Sequence, residues 1–305
     1  MAPDPSSPRS ARERFLETDR YRADREWQRY EGTAQRDLYR QLRERFLSRH
    51  ARPVAWVLDV GSGPGRFTAA MGPDPATRRV ALDIAREMLR QLPTRWRPRG
   101  VGEQLPHRVR ADGARPPFRE RAFGTVGALG NILGFAAEGS DPFFDALLTL
   151  LAPGGTLLLE VAPGPGERSR YLHRLPPGTV TRLFRSPSRA VALRVGREGY
   201  AAEPRRRKIP GEFRRIDPVE LSGQLEGLGF QVEEVMAVAP ALGPEAGRIE
   251  AIRNDAKAWD HLLEVEEAIG RAPERWPNAA AVLLAATAPA EPGAPPERSS
   301  RPSEG

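Results

Sequence analysis

The residues best suited to chemistry lie in the segment VLDVGSGPGRF, residues 57–67. An apolar run ends at Asp59, and Gly61, Gly63 and Gly65 then alternate with Ser62 and Pro64. Glycines at this density let a ligand touch the backbone, because no Cβ stands in the way. A helix starting behind such a loop would offer its first N–H groups to an anion such as a carboxylate. Two ligand classes use loops of this kind. The dinucleotide fingerprint G-x-G-x-x-G, counted from Gly61, needs glycine where Arg66 stands, so it fails. What remains is D-x-G-x-G-x-G. A second acidic residue, Asp83, closes the apolar run VALD and lies 22 residues after Gly61. At that position a carboxylate can accept hydrogen bonds from both hydroxyls of a ribose, or it can cap a helix beginning near Ala85. Further on, Asp112-Gly113 reads as a polar turn after a short run. The glycines of LGNILGF, residues 129–135, point to another close backbone approach.

These residues must be positioned by alternating strands and helices. Strands are expected over Val54–Val60, Val80–Asp83, Arg108–Ala111, Phe123–Leu129, Thr156–Val161, Gln231–Val235 and Ala281–Ala286. Helices are expected over Ala85–Leu92, Pro142–Leu151, Pro218–Leu228 and Ala256–Gly270. Leu151-Ala-Pro-Gly-Gly155 reads as a helix stop and turn feeding the strand TLLLEV. Ahead of the first strand, Ala11 to His50 is helical in pattern, with Leu38, Leu42 and Phe46 recurring every four residues and Tyr39 and Leu47 beside them. Tyr21, Trp27 and Tyr30 lie on an upstream helix, and Gly32 separates the two. The expected architecture is α/β: a doubly wound, mainly parallel seven-stranded sheet with N-terminal helices and a small inserted cap.

The loop D-x-G-x-G-x-G, together with Asp83, resembles motif I and the acidic second-strand position of the class I, Rossmann-like methyltransferases. The resemblance covers roughly Pro53 to Val161, with the last two strands matching by pattern. It implies S-adenosylmethionine as cofactor. Asp59, Gly61, Ser62, Gly63 and Gly65 would form the cradle, Asp83 would hold the ribose and Ile84 would pack on the adenine. Asp112 and Gly113 would sit near the adenine amino group, and Gly130 and Asn131 beside the methionine half. Methyltransferases acting on nucleobase amines often carry an Asn-Pro-Pro-Tyr type motif at this last position. Here Asn131 is followed by neither the prolines nor the tyrosine, which argues against that chemistry. N-terminal helices in this family often close over the cofactor. Trp27 and Tyr30 would then present aromatic faces, which attract cations, or they pack as core.

Methyl transfer from a sulfonium needs no metal, and the four histidines have no metal-ligand spacing. A general base is needed only for an acceptor that arrives protonated. The candidates are Glu160, Glu167, Tyr171 and His173, with an ion-pair partner as the alternative for Glu160.

Pro163 to Ile216 breaks the strand and helix rhythm. It holds fourteen basic and four acidic residues, a net charge of +10 against +7 for the whole chain. Two extended pieces, Val180–Phe184 and Ala190–Val195, suggest a hairpin set onto the core. The expected organisation is a disordered tail at 1–10, a methyltransferase domain over 11–288 with the cap inserted at about 163–216, and a second tail at 289–305. A local basic field concentrates acidic partners. Lysine occurs only at 208 and 257, so composition alone is the alternative account of the arginines. The leading expectation is methylation of a polar or acidic small molecule. An RNA methyltransferase gripping phosphates through Arg205, Arg206, Arg207, Lys208, Arg214 and Arg215 is the alternative. A non-catalytic S-adenosylmethionine-binding scaffold is a third reading. No cysteine, signal-like segment or long apolar run occurs, so a cytoplasmic protein without membrane contact is expected. Oligomeric state is not legible.

Overall fold

The computed structural model describes residues 19–72, 74–98, 102–135, 140–163, 215–240, 249–279 and 281–290. Two helices, α1 (Asp19–Gln28) and α2 (Ala34–His50), come first. Gly32, at φ +90°, makes the turn between them, and Thr33 caps α2 by accepting the Arg36 N–H. Seven strands follow: β1 (Trp56–Val60), β2 (Arg78–Asp83), β3 (His107–Arg110), β4 (Phe123–Ala128), β5 (Leu151–Val161), β6 (Gln231–Ala237) and β7 (Val282–Thr287). The longer helices between them are α3 (Arg86–Arg95), α4 (Ser140–Leu150), α5 (Pro218–Gly227) and α6 (Ala256–Gly270).

The sheet order is β3-β2-β1-β4-β5-β7-β6. Every pairing from β3 to β5 is parallel, and β7 runs antiparallel to both its neighbours. The chain moves outward one way from β1 through β2 and β3, then restarts on the other side at β4. That reversal opens a crevice at the carboxyl ends of β1 and β4, where doubly wound sheets bind ligands.

Alternation along the strands decides which side chains reach it. Leu58, Val60, Leu82, Val126, Leu157, Leu159 and Leu284 form one core layer with Leu147 of α4 and Leu221 and Leu225 of α5. Val57, Leu158, Leu283 and Ala285 face the other way, onto Leu38, Leu42 and Phe46 of α2 and Leu262, Leu263 and Ile269 of α6. By the same register Asp59, Asp83 and Glu160 fall on this second face, near the carboxyl ends of their strands. Three carboxylates are thereby gathered on the side of the N-terminal helices.

Two expectations are corrected. The turn expected at Leu151–Gly155 belongs to β5, because Leu151 already pairs with Phe123. Gly154, at φ +68°, and a register shift opposite it absorb the irregularity as a bulge. The helix expected behind the glycine loop is a single 3-10 turn, Thr68–Met71, stopped in the sequence by Gly72, Pro73 and Pro75. At the other end, Pro289 accepts the Gly154 N–H, so the ordered chain runs into the first residues of the expected tail. Residues 164–214, which hold most of the expected cap and its hairpin, lie outside the described residues, as do 1–18 and 291–305. Among the described residues no helix is long and apolar enough to cross a membrane.

Candidate active site

The loop after β1 is tied to β2 before any ligand is considered. Gly61 and Ser62 both donate their N–H groups to the Leu82 carbonyl, at 2.8 and 3.1 Å. Gly63 donates its N–H to Asp83 Oδ2 at 2.8 Å, and Ala85 donates to Asp83 Oδ1 at 2.8 Å. Asp83 thus fixes the loop and the entry to α3 together. The N-cap position of α3 is Ala85, which makes no side-chain cap bond. A carboxylate accepts about four hydrogen bonds, so these two alone do not exhaust Asp83.

The three loop glycines have separate reasons to be glycine. All have positive φ, at +68°, +55° and +81°. A Cβ on Gly61 would stand 2.8 Å from the Ile132 side chain, and one on Gly65 would stand 2.8 Å from Leu92. A Cβ on Gly63 would meet nothing within 4 Å. Gly63 therefore borders open space, and Gly65 is a packing position outside the cavity wall.

Asp59, Val60, Gly61, Ser62, Gly63, Asp83, Ile84, Asp112, Gly113 and Gly130 line one cavity. At one end Ile84, Met88, Ala111, Gly113 and Phe143 make an apolar slot. Gly113 keeps it tight, since a Cβ there would lie 2.4 Å from the Phe143 ring. Asp112 borders this slot, with Oδ1 accepting the Ala114 N–H at 3.2 Å. Behind the loop, Asp59 accepts the Thr68 hydroxyl at 2.6 Å. Burial pushes the Asp59 carboxyl up to about 7, against the Thr68 hydrogen bond, and the Asp83 charge adds to the rise.

Residues of α1 and the turn after it form a wall that the sequence marked only through its aromatics. Glu26, Arg29 and Tyr30 line the cavity. Trp27 is buried outside it: the Arg66 guanidinium stacks 3.5 Å from its ring centroid and donates to the Trp27 carbonyl at 2.6 Å and to Glu31 at 3.0 Å. Asp24 accepts from Gln91 and Arg95 of α3, at 3.0 and 3.1 Å. The helix is therefore strapped to both the glycine loop and α3, with Glu26 on the cavity wall. Tyr30 meets Phe67 edge-on, with ring centroids 5.1 Å apart. Burial raises its phenol pKa, opposed by the Arg43 charge, so the hydroxyl keeps its proton.

Beyond β4 the backbone turns through Gly130 and Asn131, at φ +65° and +63°. Gly130 lines the cavity; Asn131 does not, and its Oδ1 accepts the Ala162 N–H at 2.9 Å. Glu160 is engaged in a buried pair with Arg43, at 2.7 and 3.0 Å, and also accepts the Gly130 N–H at 3.2 Å. Burial alone would raise the Glu160 carboxyl, but the Arg43 charge, its hydrogen bond and the Gly130 N–H hold it below the usual range. Of the two alternatives for Glu160, ion-pair partner and base, the geometry gives the ion pair. Glu167, Tyr171 and His173 lie outside the described residues. Among the described residues no three His, Asp or Glu side chains gather as a metal site.

Residues 57–155, which carry β1 to the bulge of β5, match the family described as Methyltransferase domain. The chain carries a class I, S-adenosylmethionine-dependent methyltransferase domain. No curated protein is significantly similar to it. Among solved structures, the methyltransferase resembles magnesium protoporphyrin IX methyltransferase from Synechocystis PCC 6803, with 12% identity, a TM-score of 0.53, and 93% of this chain and 99% of that one covered. It also resembles the 1,6-didemethyltoxoflavin-N1-methyltransferase of Burkholderia thailandensis, with 16% identity, a TM-score of 0.51 and 93% of each chain covered. At these identities the likeness is one of fold.

The residues of the methyltransferase fit the cofactor of its family on their own geometry. Apolar side chains around Gly113, a carboxylate at the end of β2 and a loop open at Gly63 line the same cavity. Phe143, Met88, Glu26 and Arg29 belong to its wall and were not singled out in the sequence. Only the apolar periodicity of α3 and α4 pointed toward the first two.

Proposed function

We propose that this methyltransferase transfers a methyl group from S-adenosylmethionine to a small-molecule acceptor that is polar or acidic. The observation that carries the reading is the cavity itself: it is continuous from Ile84 and Asp112 past Asp83 and the glycine loop to Gly130, and it is walled by Glu26, Arg29 and Tyr30 beside α1. A cavity walled in part by a strapped helix and the turn after it suits an acceptor that is enclosed whole.

When bound, S-adenosylmethionine supplies a methyl already activated by its sulfonium. Asp83 would accept from the ribose hydroxyls, Ile84, Met88 and Phe143 would hold the adenine by apolar contact, and Asp112 would accept from its amino group. Ser62, Gly63 and Gly130 would receive the methionine portion. Tyr30, Glu26 and Arg29 help exclude water and orient the reacting pair, which is where most of the acceleration of such a displacement arises.

The acidic preference draws on the +10 charge of residues 163–216. The same charge supports a second reading, in which an RNA is the acceptor. Incubation with methyl-labelled S-adenosylmethionine and either a cell extract filtered to small molecules or total RNA separates them. Label entering a small molecule is expected; label entering RNA alone overturns the reading. Changing Arg205, Arg206 and Arg207 together to Gln should leave cofactor affinity near the parent value, weaken the acceptor and flatten its salt dependence. Unchanged acceptor kinetics would remove the acidic preference.

A further inference from the structure

We propose that Arg43 of α2 and Glu160 of β5 are positioning residues for the methyl-transfer end of the cavity. They would fix the Gly130 corner and the Tyr30 ring, which face the cavity from opposite elements. The inference rests on the reading of that cavity as the cofactor site.

Glu160 Oε1 accepts Arg43 Nη2–H at 2.7 Å, while Oε2 accepts both Arg43 Nε–H at 3.0 Å and the Gly130 N–H at 3.2 Å. One carboxylate oxygen is therefore shared between the guanidinium and a backbone amide of the cavity wall. The third guanidinium nitrogen, Nη1, donates to the Tyr39 carbonyl at 3.0 Å, so Arg43 is held in its own helix. The guanidinium carbon then lies 5.3 Å from the centroid of the Tyr30 ring. Neither Arg43 nor Glu160 lines the cavity; Gly130 and Tyr30 both do.

Stability alone does not account for this arrangement. Both side chains are almost fully buried, at 6% and 4% exposure, and a buried ion pair is often matched or bettered by apolar side chains of similar volume. What apolar residues could not supply is an acceptor for the Gly130 N–H. That amide opens a corner in which two consecutive residues have positive φ, the second of them Asn131. Asparagine is one of the few non-glycine residues that enter this region readily, and here its surroundings also fix it. The corner is anchored on both sides: Glu160 takes the Gly130 N–H, and Asn131 Oδ1 takes the Ala162 N–H. Both bonds run from the end of β4 to the end of β5.

The fold supplies its own control. Arg79 and Glu103 form a second buried pair, 2.9 Å apart with both side chains 2% exposed. Arg79 sits at the amino end of β2, away from the carboxyl ends that border the cavity, and donates to the Gly72 and Thr77 carbonyls.

The test measures binding of S-adenosylhomocysteine by calorimetry, with the Gly130 amide resonance as a second readout that needs no turnover. The variants are Glu160→Gln, Arg43→Lys, the double change Arg43→Met with Glu160→Leu, and Glu103→Gln. We expect the double variant to fold, to lose at least about fivefold in affinity and to show a shifted Gly130 amide. Glu160→Gln should also lose affinity, Arg43→Lys should fall between it and the parent, and Glu103→Gln should lose thermal stability with affinity unchanged. If the double variant is unfolded, Glu160→Gln and Arg43→Lys decide by the same criteria. Parent-like affinity in the Glu160 variants, or an equal loss in Glu103→Gln, overturns the positioning role. Failure of the parent protein to bind S-adenosylhomocysteine overturns the cofactor reading and takes this proposal with it.

Discussion

The Asp83 carboxylate accepts the Gly63 N–H at 2.8 Å, joining the end of β2 to the most open residue of the glycine loop. One side chain thus both holds the loop and faces the space it encloses. Asp83→Ala should weaken S-adenosylhomocysteine by about tenfold or more, since hydrogen bonds to a charged group contribute roughly 1.5–3 kcal/mol each. Because the Gly63 and Ala85 bonds are lost too, thermal stability should fall with it. A drop in melting temperature at constant affinity, followed by calorimetry and thermal unfolding, would reduce Asp83 to a loop fastener.

Gly63 and Gly65 should separate binding from stability. At Gly65 an added methyl meets Leu92 at 2.8 Å and φ is +81°, so Gly65→Ala should destabilise by about 1–3 kcal/mol. At Gly63 only the φ of +55° resists the methyl, which enters the open space. Gly63→Ala should cost about 1 kcal/mol of stability yet depress affinity more strongly than Gly65→Ala does. The reverse ranking, from denaturant titration and calorimetry of the two variants, would place the ligand elsewhere along the loop.

Asp59 makes stability depend on pH in a defined direction. Its carboxyl is raised from 3.8 to about 7 by burial, opposed by Thr68 and reinforced by the Asp83 charge. Between these values the folded protein holds a proton that the unfolded chain has released, so stability falls as pH rises from about 4 to 7 and stays lower above. Asp59→Asn should flatten that fall. The variant should match the parent near pH 4 and exceed it near pH 8, by no more than roughly 4 kcal/mol. Parallel curves from denaturant titration across this range would show that Asp59 ionises normally.

The Arg66 clasp on Trp27 should control how long ligand stays. Lysine keeps the charge but loses the planar stacking and the fork that spans the Trp27 carbonyl and Glu31. Arg66→Lys should speed release of S-adenosylhomocysteine about fivefold, with association little altered. Stopped-flow dissociation measures this directly, and an unchanged release rate would mean that α1 does not gate the mouth.

Much of this site was legible because its signals are local. Asp59, the three glycines and Asp83 stand at the ends of short apolar runs, and the alternation of such runs with helical stretches foretold the sheet. Signals that depend on distant partners were not legible. Arg43 and Glu160 are separated by 117 positions, so nothing near Glu160 marks it as neutralised. Asn131 looked like a cofactor contact because it follows Gly130, yet its positive φ carries its amide to Ala162. Gly65 belonged to the loop pattern but answers to Leu92. In α1 and the turn after it, Glu26 and Arg29 are ordinary charged residues until the Arg66 clasp sets that segment over the cavity.

The central claim, that the loop after β1 and the carboxylate of Asp83 hold S-adenosylmethionine and not a dinucleotide, is tested most directly by calorimetry of the unmodified protein with S-adenosylhomocysteine and with NAD. Binding of S-adenosylhomocysteine at a one-to-one ratio, with no heat from NAD, is the expected result. Saturable binding of NAD with no response to S-adenosylhomocysteine or S-adenosylmethionine would contradict it.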